Sequence, residues 1–174
     1  MKVINNLIKK AQKGDEDAYI KLFQYYEADI YRIAYVYVKN KHDALDIVQE
    51  TAYKSFSKIK TLKNPDFFKT WLIRIAVNSA LTFLKKEKKV IRLSMSEVNS
   101  VEANVSDLSL SITLRDLIDR LNETEKSVIL LKYYFLHTFD EIANILAMPL
   151  GTVKTISYRS LNKLRKEIKK EDYI

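Results

Sequence analysis

Apolar residues recur at the three-to-four spacing of an α-helix along almost the whole chain, and no stretch alternates strongly enough to compete as a strand. Residues 3–12 predict a short amphipathic helix that stops near Gly14. Asp15 suits an N-cap, and Glu16 and Asp17 favour the positive end of the helix that follows. Leu22, Tyr26, Ile30, Ile33 and Tyr37 then share one face of a single helix running to about Lys39. Asn40-Lys41-His42 reads as a turn. Asp43 reads as the cap of a third helix reaching about Ile59, with Leu45, Val48, Ala52, Phe56 and Ile59 inward. After a loop from Thr61 to Asn64, Pro65 occupies a first helical position. The fourth helix runs from there to about Lys89 and carries Phe68, Trp71, Leu72, Ile75, Ala76 and Phe83.

The pattern changes after Lys89. Residues 94–111 are rich in Ser and Asn, carry Glu97, Glu102 and Asp107, and show no sustained helical stripe, as expected of a flexible, mildly acidic linker. The helical period returns with Leu114, Leu117, Ile118 and Leu121, breaks at Asn122, and resumes through Val128, Ile129, Leu131, Lys132 and Tyr133. The fold class is all-α. Two small helical domains, residues 1–90 and 113–174, are joined by a linker over 91–112.

The segment from Thr138 to Lys166 is the most specific. Thr138 with Glu141 three residues on forms a capping box. Ile142, Ala143 and Leu146 follow at helical spacing, and Ala143 is small enough for a close helix crossing. Pro149 cannot continue that helix but suits the first turn of another. The second helix carries Val153, Ile156, Leu161, Leu164 and Ile168 along one stripe. Thr152, Lys154, Thr155, Tyr158, Arg159 and Lys163 lie on its other faces. A helix-turn-helix places such a face in the major groove of DNA. An ordinary helical hairpin with a solvated basic face has the same pattern.

Charge sharpens this reading. The chain of 174 residues has 30 Lys and Arg against 22 Asp and Glu, a formal net charge of +8. Such a surplus favours polyanions. Most of it lies in residues 1–93 and from Lys154 to Lys170, whereas acids outnumber bases from Ser94 to Glu125. There are no cysteines, so disulfides, thiolate metal sites and thiol catalysis are excluded. No apolar run reads as a membrane span, and the N-terminal residues lack a signal-peptide core. Two Gly and two Pro are few punctuators for this length, in keeping with long helices.

Catalytic chemistry is missing. His42 and His137 are far apart, each near a helix boundary, where capping or surface roles are the ordinary use. No Gly-rich phosphate loop is present. Asp43, Asp46, Gln49 and Glu50 project together from the third helix, but no histidine or cysteine beside them suggests a metal. The chain is expected to be no enzyme and to hold no metal or cofactor. An acidic face in a basic protein repels DNA and suits a basic protein surface. A solvated face with acids near a helix N-terminus explains it as well.

Four blocks in order carry a family resemblance: GDEDAYIKLFQYYEADIYRIAYVYV, DALDIVQETAYKSF, FKTWLIRIAVNSALTFL and the Thr138–Lys166 segment. Together they resemble the sigma factors of bacterial RNA polymerase, in the small two-domain extracytoplasmic-function group. The resemblance covers nearly the whole chain except the linker. It implies a factor that binds core RNA polymerase and directs promoter-specific initiation in the cytoplasm, as an alternative stress- or envelope-responsive factor. It assigns Asp43, Asp46, Gln49 and Glu50 to the clamp helices of the polymerase largest subunit. It assigns Lys63 and Asn64, in the loop from Thr61 to Asp66, together with Trp71 and Asn78, to opening the −10 promoter element. An aromatic ring and an amide suit a base that has left the stack. Trp71 on a helical stripe is equally suited to core packing. The resemblance assigns Thr152, Lys154, Thr155, Tyr158, Arg159 and Lys163 to the −35 element. It also implies promoter DNA and an anti-sigma partner, often membrane-anchored in this family.

Three positions depart from the family pattern. Ile156 stands where arginine is common, Ala147 where the turn often has glycine, and His137 where glycine is common before the capping threonine. Two other readings stay open on sequence alone: a free-standing helix-turn-helix regulator that dimerises through residues 1–90, and a helical adaptor that binds protein through the acidic face.

Overall fold

The computed structural model describes residues 2–94, 117–118 and 120–171. The chain divides into two compact units, Met1–Val98 and Asn99–Ile174. Among the described residues every regular element is helical. The linker expected over 91–112 lies outside the described residues beyond Ser94.

Unit 1 contains α1 (Lys2–Gln12), α2 (Glu16–Gln24), α3 (Glu27–Val38), α4 (Lys41–Lys58) and α5 (Phe68–Ser94), with short 3-10 turns at Ile59–Thr61 and Pro65–Phe67. Helices α3, α4 and α5 pack on one another, while α1 packs on α2 and on the two 3-10 turns. Ile30, Ile33, Ala34, Ala44, Leu72, Ala76, Val77 and Ala80 fill the core, each fully buried. Burying one isoleucine or leucine of this kind contributes about 1.5–3 kcal/mol. Asp15 caps α2 as expected, accepting from the Ala18 N–H at 2.9 Å.

Five expectations for unit 1 need correction. The single helix expected to reach Lys39 is two helices, broken at Tyr25 and Tyr26. Neither residue is a helix breaker. The Tyr26 ring lies 5.5 Å from Phe68, so tertiary packing fixes the bend. Asn40, not Asp43, caps α4, accepting from the His42 N–H at 2.7 Å; Lys41 and His42 are already helical. Leu45 is 42% exposed rather than inward. The buried stripe of α4 is Ala44, Ile47, Val48, Thr51 and Ser55. Thr51 and Ser55 can be buried because their hydroxyls donate to the carbonyls of Ile47 and Thr51, at 2.7 and 2.6 Å. Counting apolar residues alone therefore set the wrong phase. Finally, α5 continues to Ser94, past Lys89. The stretch Pro65–Glu87, the preceding 3-10 turn with most of α5, is long and apolar enough to cross a membrane by length and composition. That corrects the reading that no run approaches a span, although Phe68, Leu72, Ile73, Ala76 and Val77 are core residues here.

Unit 2 contains α6 (Glu123–Ile129), a π-turn at Leu130–Tyr134, α7 (Phe139–Leu146) and α8 (Leu150–Glu171). Helix α8 packs on α6 and α7, and Leu117, Leu121, Ile129 and Leu164 form an apolar cluster. Helix α6 starts at the break at Asn122 with a reciprocal capping box between Asn122 and Glu125, as Thr138 and Glu141 make for α7. Ile142 and Ile145 face inward on α7, whereas Leu146 is only half-buried. On α8, Val153, Ile156 and Leu164 are buried as expected, but Ile168 is exposed.

Candidate functional site

Three surfaces carry the residues singled out from sequence. The first is the outer face of α4. Because Ala44, Ile47, Val48 and Thr51 turn inward, Asp46, Gln49 and Glu50 are exposed and Asp43 is half-buried. The acidic face is laced to neighbouring basic side chains. Glu50 meets Lys54 at 3.0 Å, and the His42 Nδ1 lies 3.9 Å from Asp46, which corrects the expectation that no histidine lies beside these acids. Exposed pairs of this kind are worth little for stability. Tyr53, one turn beyond Gln49 and 72% exposed, shares the face, and Leu45 lies at its flank. Neither was predicted to be outward. An aromatic ring and a leucine among acids is a composition suited to protein contact. Between α4 and α5 the face dips into a groove of about 240 Å³ whose walls include Asp46, Glu50, Phe83 and Lys86.

The second surface is the loop between α4 and α5 and the start of α5. Lys63 and Asn64 are exposed. The Asn64 side-chain oxygen accepts from the Asp66 N–H at 3.0 Å, so it is engaged in capping the Pro65–Phe67 turn. Trp71 is half-buried, its ring 5.8 Å from that of Phe68, so packing and partial exposure coexist. Asn78 lies two turns further along the same side of α5 and is exposed. Arg74 and Lys85, missed from sequence, are exposed on that side as well. One contact ties the loop to the N-terminal helix. The Gln12 amide donates to the carbonyls of both Ile59 and Leu62, at 3.1 and 2.8 Å. Nothing in the pattern around Gln12 announces this.

The third surface is the outer face of α8. Thr152, Lys154, Thr155, Tyr158, Arg159 and Lys163 are all exposed. Thr155 donates back to the Gly151 carbonyl at 2.9 Å. Ile156 is 8% exposed, on the inner side. Lys163 is not simply solvated: its Nζ donates to Glu125 at 2.6 Å, and the Arg159 Nε lies 3.6 Å from the same oxygen. Glu125 is 1% exposed. Burial pushes its carboxyl up, but the Lys163 hydrogen bond, the Asn122 N–H and the two positive charges together hold it below the ordinary carboxylate value. Glu141 is also held low, first by the Thr138 N–H, against the opposing effect of burial, with help from the Thr138 hydroxyl and His137. The spacing of Asn122 and Glu125 was a visible capping signal, but not a sign that Glu125 would be buried.

His137 is buried, not at the surface, with its Nδ1 3.4 Å from Glu141. The glycine-favouring backbone lies one residue earlier: Leu136 has φ 59° and is 81% exposed. Ala147 does occupy a left-handed position, at φ 52° and ψ 47°.

Residues 22–90 match sigma-70 region 2, and residues 117–166 match sigma-70 region 4. The RNA polymerase sigma factor SigV of Bacillus subtilis is 36% identical over 147 residues, covering 84% of this chain and 89% of that protein. The ECF RNA polymerase sigma factor SigW of the same organism is 33% identical, covering 96% of this chain and 97% of that one. Among solved structures, CnrH in complex with the cytosolic domain of CnrY has the same fold, with a TM-score of 0.71 at 19% identity over 97% of this chain and 99% of that one. The two regions in order, on a single all-α chain, decide against a free-standing regulator and a helical adaptor. The chain belongs to the extracytoplasmic-function sigma factors, non-enzymatic initiation factors that bind RNA polymerase and direct promoter-specific transcription.

Proposed function

We propose that the three surfaces divide the work of initiation between them. The α4 face, through Asp43, Asp46, Gln49 and Glu50 with Tyr53 among them, docks on the basic clamp helices of the polymerase largest subunit. The loop carrying Lys63 and Asn64, with Trp71 and Asn78 on α5, captures a base that leaves the stack as the −10 element opens. Its aromatic face and amide are the chemistry that an unstacked base needs. Helix α8 reads the −35 element through Thr152, Lys154, Thr155, Tyr158 and Arg159, with Lys163 at the flank. The corresponding domains lie within residues 1–94, since α5 runs on to Ser94, and 113–174.

The chain works in the cytoplasm, where polymerase acts, as an alternative factor for stress or envelope signals. An anti-sigma protein, anchored in the membrane or free, restrains it. This reading is supported by the complexes of two proteins with the same fold: CnrH with the cytosolic domain of CnrY, and RpoE with the anti-sigma factor NepR from Bartonella quintana.

The observation that carries the docking assignment is the exposed, mixed acidic and apolar face of α4 on a chain of net charge +8. Asp46→Lys with Glu50→Lys reverses it. Core polymerase affinity is expected to fall by about ten-fold or more, while helical circular dichroism is retained because the pair is exposed. Wild-type affinity in that variant refutes the assignment.

A further inference from the structure

Glu125 is more deeply buried than its capping role requires. In the other capping box of unit 2, Glu141 does the same local work while its side chain remains 40% exposed. A carboxylate taken out of water costs several kcal/mol unless it is paired and hydrogen-bonded. Here one oxygen serves the cap, accepting from the Asn122 N–H at 3.2 Å. The other is left for α8, where Lys163 donates to it at 2.6 Å and Arg159 approaches it through Nε at 3.6 Å. Arg159 and Lys163 are one turn apart, at the edge where the exposed face of α8 meets its buried side.

Approach through Nε has a chemical consequence. Guanidinium is a planar fork, and an ion pair on its Nε side, longer than a hydrogen bond, leaves the two terminal amino groups for a second planar or bidentate partner. A guanine edge, with O6 and N7 as acceptors, is such a partner. A lysine in the place of Arg159 could keep the charge but not the fork.

We propose that Glu125 is a positioning residue for promoter reading: it orients the Arg159 guanidinium so that its terminal amino groups read one base pair of the −35 element. Lys163 supplies the charge that keeps the buried carboxylate ionised. The proposal rests on the reading of α8 as the −35 reader.

The test uses the full chain with core polymerase on promoters substituted singly at each −35 position. Glu125→Gln keeps an oxygen for the Asn122 N–H but loses the charge that holds Arg159. Wild type is expected to lose activity on the order of ten-fold when the base pair read by Arg159 is changed. In Glu125→Gln that preference falls to within about two-fold, whereas affinity for core is unchanged. Arg159→Ala abolishes the same preference, and adding Glu125→Gln to it removes nothing more, since positioning acts through Arg159. Arg159→Lys keeps a cation beside Glu125 but not the fork and loses the preference, which tests the idea even if Glu125→Gln unfolds unit 2. The proposal is overturned by full base preference in Glu125→Gln, by losses that multiply in the double variant, or by retained preference in Arg159→Lys. If wild type shows no preference at any −35 position, it is the reading of α8 that fails.

Discussion

Leu136 and Ala147 hold the left-handed backbone that L side chains adopt only at a cost, at φ 59° and 52°. Both end helical segments of unit 2. The His137 N–H reaches back to the Leu131 carbonyl, and the Met148 N–H to that of Ala143, each at 2.9 Å. Replacing either residue with glycine removes the Cβ conflict at the price of some unfolded-state entropy, a net gain of about 0.5–1 kcal/mol. Leu136→Gly and Ala147→Gly are each expected to raise the melting temperature of unit 2 by about 2–8 °C, followed in the full chain by amide NMR signals. A lower temperature for Ala147→Gly would contradict the cap geometry. Ala147 was legible from sequence because a turn there is expected to want glycine. Leu136 was not, since the signal was placed on His137, and only the torsion angles locate the strain.

Elements were legible wherever apolar residues alone set the phase. The helix-turn-helix is the clearest case, with Val153, Ile156 and Leu164 buried as predicted. Helix α4 failed because its inner stripe contains Thr51 and Ser55, polar residues that satisfy themselves on the preceding turn. The break between α2 and α3 failed because the contact that fixes it, Tyr26 on Phe68, is distant in sequence. Gln12 is a further long-range contact of this kind. It links α1 to the Ile59 and Leu62 carbonyls at the start of the connection between α4 and α5, and each such hydrogen bond is worth about 1 kcal/mol. Gln12→Ala is expected to reduce run-off transcription several-fold at unchanged core affinity, by loosening the −10 loop. Unchanged transcription would show that the loop is held without it.

Helix α6 and helix α7 share a pH dependence through their caps. Glu125 and Glu141 both titrate below the ordinary 4.5 when folded, so each stabilises unit 2 above that value and ceases to as pH falls through its depressed folded value. The contribution of Glu141 is the smaller one because its exposed carboxylate is screened by solvent. The melting temperature of unit 2 is therefore expected to hold from about pH 7 to 5 and to decline below about pH 4.5. A flat profile down to about pH 3 would contradict the capping and pairing described.

At the scale of the whole molecule, a chain of net charge +8 presents an acidic patch on one unit and a basic helix face on the other. The all-α class and the division into two units were legible because long helices with few Gly and Pro leave little alternative. The outer face of α8 was legible from the sequence, whereas that of α4 became so only once its buried stripe was known, as Tyr53 and Leu45 illustrate. If α4 docks on polymerase and α8 reads the −35 element as proposed, polymerase is the condition for promoter recognition. Run-off transcription across genomic promoter fragments tests this most directly, with core polymerase alone, the chain alone, and the two together. Discrete transcripts are expected only from the combination, with no sequence-specific DNA binding by the chain alone. Tight, sequence-specific binding by the chain alone, with no new transcripts when core is added, would contradict it.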